Sequence, residues 1–263
     1  MDCLSFTAVT LWHLGYPDQA LKKIDEAVAL ARKLAHPYTL AYAAVHAGVV
    51  QQMCRQVQAA QESVEAAIVI CSKHGFPFFL GIRTVIRGWA LAHRGKEEEG
   101  IAQILRGLEI YRTTGSGINE PQLLIPLAEA YGLSGLAVEG LRALEKAVAA
   151  VEKTGERRDE AEVHRLKGVL TLRSKASESK VQSQSQSQSR AEEQFRKAIE
   201  VARRQSSKSW ELRATTSLAR LLRDTGRHDE ARTMLAEIYN WFTEGFDTAD
   251  LKDAKAPLAE LGE

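Results

Sequence analysis

Two arginines four residues apart, Arg83 and Arg87, are the side chains best spaced to bind an anion. Residues i and i+4 share one face of an α-helix, and two guanidinium groups on one face could clamp a carboxylate or a phosphate. The simpler alternative is that both side chains are solvated or paired with neighbouring glutamates. A ligand pocket lined by Arg83, Arg87 and Trp89 is therefore one hypothesis, and an ordinary polar helix face is the other.

Metal, nucleotide and hydrolase chemistry find little support in the sequence. Cys71 and His74 could offer two metal ligands, but no second pair follows, so residues near a helix end are the better interpretation. The sequence contains no Walker A loop, no HExxH and no Gly-x-Ser-x-Gly. We therefore expect no enzyme activity, no cofactor and no metal.

The composition predicts a helical protein that stays in the cytoplasm. The 263 residues are 44% hydrophobic and 26% charged, with a formal net charge of +1, which favours neither nucleic acid nor an anionic membrane as a partner. No apolar run approaches the roughly 18 residues that span a bilayer. The three cysteines, Cys3, Cys54 and Cys71, have no CxxC spacing and suggest free thiols in a reducing compartment.

One unit recurs six times along the chain. Its copies align on a small residue that follows a turn: Ala20, Ala59, Gly100, Gly140, Ala191 and Ala231. The steps between them are 39, 41, 40, 51 and 40 residues. A second small residue follows seven positions later: Ala27, Ala66, Gly107, Ala147 and Ala198, with Ile238 as the exception. Two small residues two helical turns apart allow a neighbouring helix to approach closely.

Each copy is preceded by another stretch with helical apolar spacing, and glycine marks the turn between the two in four units, at Gly15, Gly95, Gly135 and Gly226. The turn glycine and the two small positions resemble the tetratricopeptide (TPR) repeat, although the period is about 40 and not 34. The resemblance implies an all-α, right-handed α-solenoid of about six helix pairs, a single domain over residues 1–263.

The 51-residue step contains four Gln-Ser pairs, which carry no apolar periodicity. We predict a Ser/Gln-rich loop over residues 174–190, inserted within the fifth repeat. It could be an exposed tether or modification site, or a tolerated lengthening of a surface loop.

In TPR solenoids the first helix of each unit lines the concave groove, which supplies candidates for partner binding. They are Trp12, His46, Gln51, Arg83, Arg87, Glu129, His164, Lys167, Arg213 and Arg220. The tryptophans among the first helices, Trp12 and Trp89, also fit the core.

The C-terminal stretch WFTEGFDTADLKDAK predicts a structural cap over residues 247–261. We expect Trp241 and Phe242 to end a helix that Gly245 stops, and Asp247 and Asp250 to form a capping box. A hydrophobic staple would then join Phe246 to Leu251.

The last 60 residues resemble a bacterial family of multidomain proteins that carry a nucleotidyl cyclase or DNA-binding domain, then an AAA/STAND-type ATPase, then a TPR-like region. The segments KSWELRA, SLARLL and WFTEGFDTADLKDAK carry this resemblance. It implies a sensor or scaffold that binds a protein or peptide. The alternative is a domain that senses a small-molecule effector. The sequence leaves open whether the chain forms a homodimer and whether it is part of a longer protein.

Overall fold

The structure is a computed structural model that describes residues 2–174 and 181–261. Those residues form thirteen helices and no strand. The helices are α1 (Asp2–His13), α2 (Pro17–Leu34), α3 (Pro37–Met53), α4 (Val57–His74), α5 (Pro77–Ala92), α6 (Glu97–Arg112), α7 (Glu120–Leu133), α8 (Ala137–Thr154), α9 (Glu160–Ser174), α10 (Val181–Arg204), α11 (Lys208–Asp224), α12 (His228–Tyr239) and α13 (Ala249–Glu260). The all-α prediction is confirmed.

The first twelve helices form six consecutive pairs, and α13 packs against α11 and α12. The first helices of the pairs contact one another in chain order, from α1 to α11. The second helix of each pair packs against the first helix of the next pair. Because a single pair cannot bury its own apolar faces, stacking supplies the core. This confirms a TPR-like solenoid.

The repeat is more regular than the sequence alignment suggested. Left-handed backbone recurs every 40 residues, at Gly15, Arg55, Gly95 and Gly135 within pairs and at Ala35, Gly75, Gly115 and Gly155 between pairs. The buried small residue of the second pair is Ala60, with no exposed surface, whereas Ala59 is half-buried. The second small position moves accordingly to Ala67. The steps of 39 and 41 residues therefore arose because the second unit was aligned on Ala59, one residue before the buried Ala60.

Glycines bring α5 and α6 into the closest approach of any pair. A Cβ added at Gly88 would lie 2.6 Å from the carbonyl oxygen of Gly100, and one added at Gly107 would lie 2.8 Å from that of Gly81. Such distances are below ordinary van der Waals contact, so larger residues would force the helices apart. The small positions predicted at Gly100 and Gly107 are therefore points of helix contact.

The Ser/Gln-rich stretch is helical where it is described. α10 is 24 residues long and begins at Val181, so the loop predicted over 174–190 is wrong for residues 181–190. Ser174 ends α9, and residues 175–180 lie outside the described residues. Ser187 is 3% exposed and lies four residues before the buried Ala191, so a small serine extends the buried stripe of α10 by one turn.

The C-terminal cap exists as a helix, but its ends differ from the prediction. α12 stops at Tyr239, so Trp241 and Phe242 lie in the turn that follows it. The N-cap of α13 is Thr248 and not Asp247, and no side chain caps that end. The Thr248 hydroxyl instead donates to the carbonyl oxygen of Gly245, at 2.6 Å.

Only one residue of the predicted hydrophobic staple, Leu251, is buried. Leu251 is 1% exposed and belongs to the core formed by α10 to α13. Phe246 is half exposed, and its ring lies 6.1 Å from that of Tyr239. The Phe246–Leu251 contact stays a prediction.

The array also closes on itself, because α1 contacts α11. Each of the six first helices therefore touches two others and the six form a ring. We call the junction between the α1–α4 side and the α11–α13 side the seam. Sequence patterns within one repeat do not predict it.

Candidate functional site

A cavity of about 440 Å³, the central cavity, is lined mainly by the first helices α7, α9 and α11. Its other walls come from the end of α5, from α10 and α13, and from the turn between α3 and α4. A smaller chamber of about 60 Å³ adjoins it. The two spaces share four lining residues: Arg55, His93, Glu129 and Arg213.

Three of the ten predicted groove residues line the central cavity: Glu129, Arg213 and Arg220. Glu129 lies on α7, and the two arginines lie seven residues apart on one face of α11. The structure therefore brings together one candidate from α7 and two from α11. The candidates from α1, α3 and α5 lie elsewhere.

The proposed Arg83–Arg87 clamp does not form. Arg83 has no exposed surface and donates to the carbonyl oxygen of Ala41 on α3. Its Nε and Nη1 have no partner among the described residues, and burial lowers the pKa of its guanidinium to about 10. Arg87 is half-buried and does not line the cavity. Because Arg83 faces the inside of the array, the two side chains cannot share a ligand at the surface.

The remaining candidates also lie outside the central cavity: Trp12, His46, Gln51, His164 and Lys167. Burial lowers the pKa of His46, whose ring stacks on Tyr42 at 4.3 Å. His164 Nδ1 lies 2.9 Å from Gln194 Oε1. Gln51 lines a separate groove with residues of α2 and α4. The rings of His46 and His164 are therefore occupied by neighbours within the array.

Glu129 is a carboxylate of the cavity that neighbouring side chains hold in place. The indole Nε1 of Trp89 donates to its Oε2 at 2.8 Å, and His93 Nε2 lies 3.6 Å away. Burial alone would raise the pKa of Glu129. The interaction with His93 and the nearby Arg165 and Arg213 outweigh that effect and lower the pKa to about 2. Glu129 is therefore ionised at any physiological pH.

Arg165 forms a second, more deeply buried ion pair beside the cavity. Its Nε and Nη2 donate to the carboxylate of Glu162 at 2.7 and 2.6 Å, and Glu162 is 1% exposed. Burial alone would lower the pKa of Arg165, but the Glu162 carboxylate raises it. This guanidinium is thus neutralised from within α9.

Arg213 joins the cavity to the seam. Its Nε and Nη2 each lie 2.8 Å from an oxygen of Asp250 on α13, a bidentate pair. Its Nη2 also donates to the carbonyl oxygen of Met53 at the end of α3. The guanidinium lies 5.1 Å from the ring of Trp12 and 4.9 Å from that of Trp210. One side chain therefore contacts α1, α3, α11 and α13.

The two tryptophans form the apolar part of the seam. The ring centroids of Trp12 and Trp210 lie 4.7 Å apart in an edge-to-face arrangement. The hydroxyl of Ser209 donates to the carbonyl oxygen of Trp12 at 2.5 Å, and His13 Nδ1 lies 3.2 Å from Ser207 Oγ. The end of α1 therefore meets the beginning of α11.

The outer part of the seam caps a helix. No side chain of its own caps the start of α2. Glu244, from the segment between α12 and α13, accepts hydrogen bonds from the backbone N–H groups of Asp18 and Gln19, each at 3.0 Å. Gly245 N donates to Asp18 at 2.9 Å in return. A carboxylate at a helix N-terminus satisfies free N–H groups and complements the helix dipole.

Arg55 occupies the turn position where four of the other five units have glycine, and it has a left-handed backbone with φ of 58°. This conformation costs a non-glycine residue roughly 1 kcal/mol. Its guanidinium reaches Asp253 at 2.5 Å and Asp250 at 3.5 Å on α13. The left-handed turn position therefore places the Arg55 guanidinium at the seam.

Sequence reasoning missed Arg55, His93 and Arg165 as cavity residues and placed Asp250 in a capping box. Arg55 did carry a signal, because it lies 40 residues after Gly15 and 40 before Gly95. His93 and Arg165 carried none. In residues 2–174 and 181–261, no helix is long and apolar enough to cross a membrane, and no group of three or more side chains could hold a metal.

Comparisons with known proteins agree on the fold. A model of the tetratricopeptide repeat matches residues 212–237, within α11 and α12. No curated protein sequence matches the chain. The C-terminal part of the chain is thus recognisably a TPR-like repeat by sequence as well as by structure.

Solved structures are similar over nearly the whole chain. NprR in complex with its cognate peptide NprX has a TM-score of 0.65 and 14% identity, over 98% of this chain and 70% of that one. The apo form of the quorum sensor NprR from B. thuringiensis has a TM-score of 0.54 and 12% identity, over 99% and 79%. A signal-transduction ATPase with a tetratricopeptide repeat sensor, from Pyrococcus horikoshii, has a TM-score of 0.53 and 17% identity, over 99% of this chain and 38% of that one. At such identities the likeness establishes the fold alone.

Proposed function

We propose that the chain is a non-catalytic binding module that holds a peptide, or an extended segment of a partner protein, in the central cavity. The cavity carries this proposal. Its volume of about 440 Å³ lies within the range of roughly 300–1,000 Å³ that is usual for ligand sites. It is framed by rigid helices, and its lining mixes leucine and valine with fixed charges.

The charge of the ligand follows from the arginines that no carboxylate neutralises. Arg173 donates to the carbonyl oxygen of Gly132 at 2.9 Å, and Arg220 to that of Asp253 at 3.0 Å. Neither has a carboxylate partner in the part of the chain that the structure describes. Guanidinium groups pair best with carboxylates, so an acidic segment is the favoured ligand.

We further propose that the module is a cytoplasmic sensor or scaffold in signal transduction. The support is the sequence resemblance of its end to multidomain ATPase and cyclase proteins, together with the structural likeness to an ATPase that carries a TPR sensor. The likeness to NprR, whose structure holds the peptide NprX, favours a peptide as the ligand.

Affinity selection tests the proposal. The immobilised chain is incubated with mixtures of randomised hexapeptides, acidic, neutral and basic, and the retained peptides are identified by mass spectrometry. Acidic peptides should be retained, and the double variant Arg173→Gln/Arg220→Gln should lose them. The control Arg106→Gln/Arg232→Gln removes two exposed arginines outside the cavity and should retain them. If the folded chain retains no peptide from any mixture, the proposed function is wrong.

A further inference from the structure

The geometry points to a gate: we propose that the ring opens at the seam, by separation of α1 to α4 from α11 to α13, and that this opening controls access to the central cavity. Opening at the seam is a property of the fold by itself. Control of access also rests on the proposed function of the cavity.

Fewer helices pack together at the seam than at any other joint of the ring. At each of the other five joints, two first helices contact each other and the second helix of one pair packs on the first helix of the next. Across the seam only α1 and α11 pack helix against helix. The other contacts come from single side chains, such as Arg55 and Arg213, and from the segment between α12 and α13. The chain is also not continuous across this joint. Local opening begins where few apolar contacts hold elements together.

The outer half of the seam combines exposed polar contacts with the packing of Trp241 on Tyr16, whose ring centroids lie 5.7 Å apart. The hydrogen bonds of Glu244 to Asp18 and Gln19 lie at the surface. Water can replace them when the seam parts, because an exposed N–H group or carboxylate finds new partners in solvent. Opening therefore leaves the Glu244 carboxylate and the N–H groups of Asp18 and Gln19 bonded to water.

The inner half of the seam is also a wall of the cavity. Arg55 comes from the turn after α3, whereas Arg213, Asp250 and Asp253 come from α11 and α13. These four side chains bridge the seam, and all four line the central cavity. Parting the seam removes that wall, and a ligand that touches both sides of it would hold the seam closed. By linkage, weakening the seam must then weaken binding.

A native cysteine reports the state of the seam. Cys54 is 3% exposed and lines a narrow crevice between Trp12 and Pro17 on one side and Ser209 and Phe242 on the other. Burial raises the pKa of its thiol to about 12, so the closed seam leaves it unreactive.

The chain supplies two references for Cys54. Cys71 on α4 is 1% exposed, and α4 contacts none of α1, α11, α12 and α13, so opening of the seam leaves it covered. Cys3 is exposed and gives the unprotected rate.

Thiol labelling of the native chain tests the gate. Iodoacetamide is added under native conditions, and the labelling of each cysteine is followed by mass spectrometry. Cys54 should react at least about ten-fold faster than Cys71. The variant Glu244→Ala removes the cap of α2 and should speed Cys54 about five-fold, which corresponds to about 1 kcal/mol, with no effect on Cys71. The control Glu237→Ala removes an exposed glutamate of α12 away from the seam and should change neither rate.

Equal rates for Cys54 and Cys71, or equal effects of Glu244→Ala and Glu237→Ala, would overturn the opening of the seam. A second arm adds the hexapeptides retained in the affinity selection at saturating concentration. They should slow the labelling of Cys54 and leave Cys71 unchanged. Peptides that bind without slowing Cys54 would overturn the control of access but leave peptide binding intact. If no peptide is retained, the proposed function fails and with it the control of access, whereas the first arm still decides whether the seam opens.

Discussion

Replacing Arg213 by alanine should loosen the seam more than any other single change. The substitution removes a bidentate pair with Asp250, a hydrogen bond to the carbonyl oxygen of Met53, and the stacking of a guanidinium between Trp12 and Trp210. It also leaves a carboxylate that is 10% exposed without its main partner. The effect combines lost contacts with an unpaired buried charge.

The magnitude follows from the burial of the pair. Removing one partner of a buried ion pair costs roughly 3–5 kcal/mol. Asp250 keeps Arg55 at 3.5 Å, which offsets part of that cost. The two cation–π contacts add about 0.5–1 kcal/mol each. We expect the seam to lose about 3 kcal/mol, and Arg213→Lys, which keeps the charge but not the bidentate geometry, to lose about half of that.

Urea titration with two probes measures this loss. Trp12 and Trp210 stack at the seam, so tryptophan fluorescence reports its opening, whereas far-UV circular dichroism reports all helices. In Arg213→Ala the fluorescence transition should move by about 1 M or more to lower urea and precede the loss of helix. Arg232→Ala, at an exposed position, is the control. If both probes keep the wild-type midpoint in Arg213→Ala, the account of the seam is wrong.

Three further changes test other parts of the structure. Arg83→Met removes a buried charge with two unpartnered nitrogens, so the free energy of unfolding in urea should stay unchanged or rise by up to about 4 kcal/mol, and a loss above about 1 kcal/mol would contradict this. Burial lowers the pKa of His13 from 6.5 to about 4, so the unfolded chain binds the proton first. The His13 contribution to stability should therefore fall by at most about 3 kcal/mol as pH drops from 6.5 to 4 and level off below that, and His13→Asn should flatten this part of the pH profile of urea titrations. Gly88→Ala should lower the melting temperature by several degrees because its Cβ would meet Gly100 O, whereas Gly117→Ala, with 3.7 Å to its nearest neighbour, should not.

The repeat architecture was accessible from sequence because its determinants are local. Small residues at fixed spacing, such as Ala20 and Ala27, and turn glycines such as Gly15 recur in each unit and impose the same pairing. The error at Ala59 arose because two adjacent alanines fit the pattern equally well, and only burial distinguishes Ala60.

The candidate binding surface was harder to predict from sequence because it depends on how the array curves. First helices were expected to line one continuous groove. The cavity lies against α7, α9 and α11, so Glu129 and Arg220 face it, while Arg83 on α5 packs inwards against α3. The curvature of a ring is the sum of small rotations between pairs, which no single repeat encodes.

The seam could not be predicted from the sequence for a different reason. Its partners are far apart in the chain: 226 residues separate Asp18 from Glu244, and 197 separate Trp12 from Ser209. Only Arg55, in a register otherwise held by glycine, hinted that a side chain was needed there.

That separation has a consequence for the order in which the chain folds. Almost every other contact joins neighbours in sequence, so each pair can form as soon as it is made, at low contact order. The seam instead requires the closure of a loop of about 200 residues, whose entropic cost must be met before its contacts form. During synthesis the first helix pair therefore forms without its partners across the seam, and Trp12 lacks its contact with Trp210 until α11 is made. Refolding should end in a slow phase that buries tryptophan without adding helix.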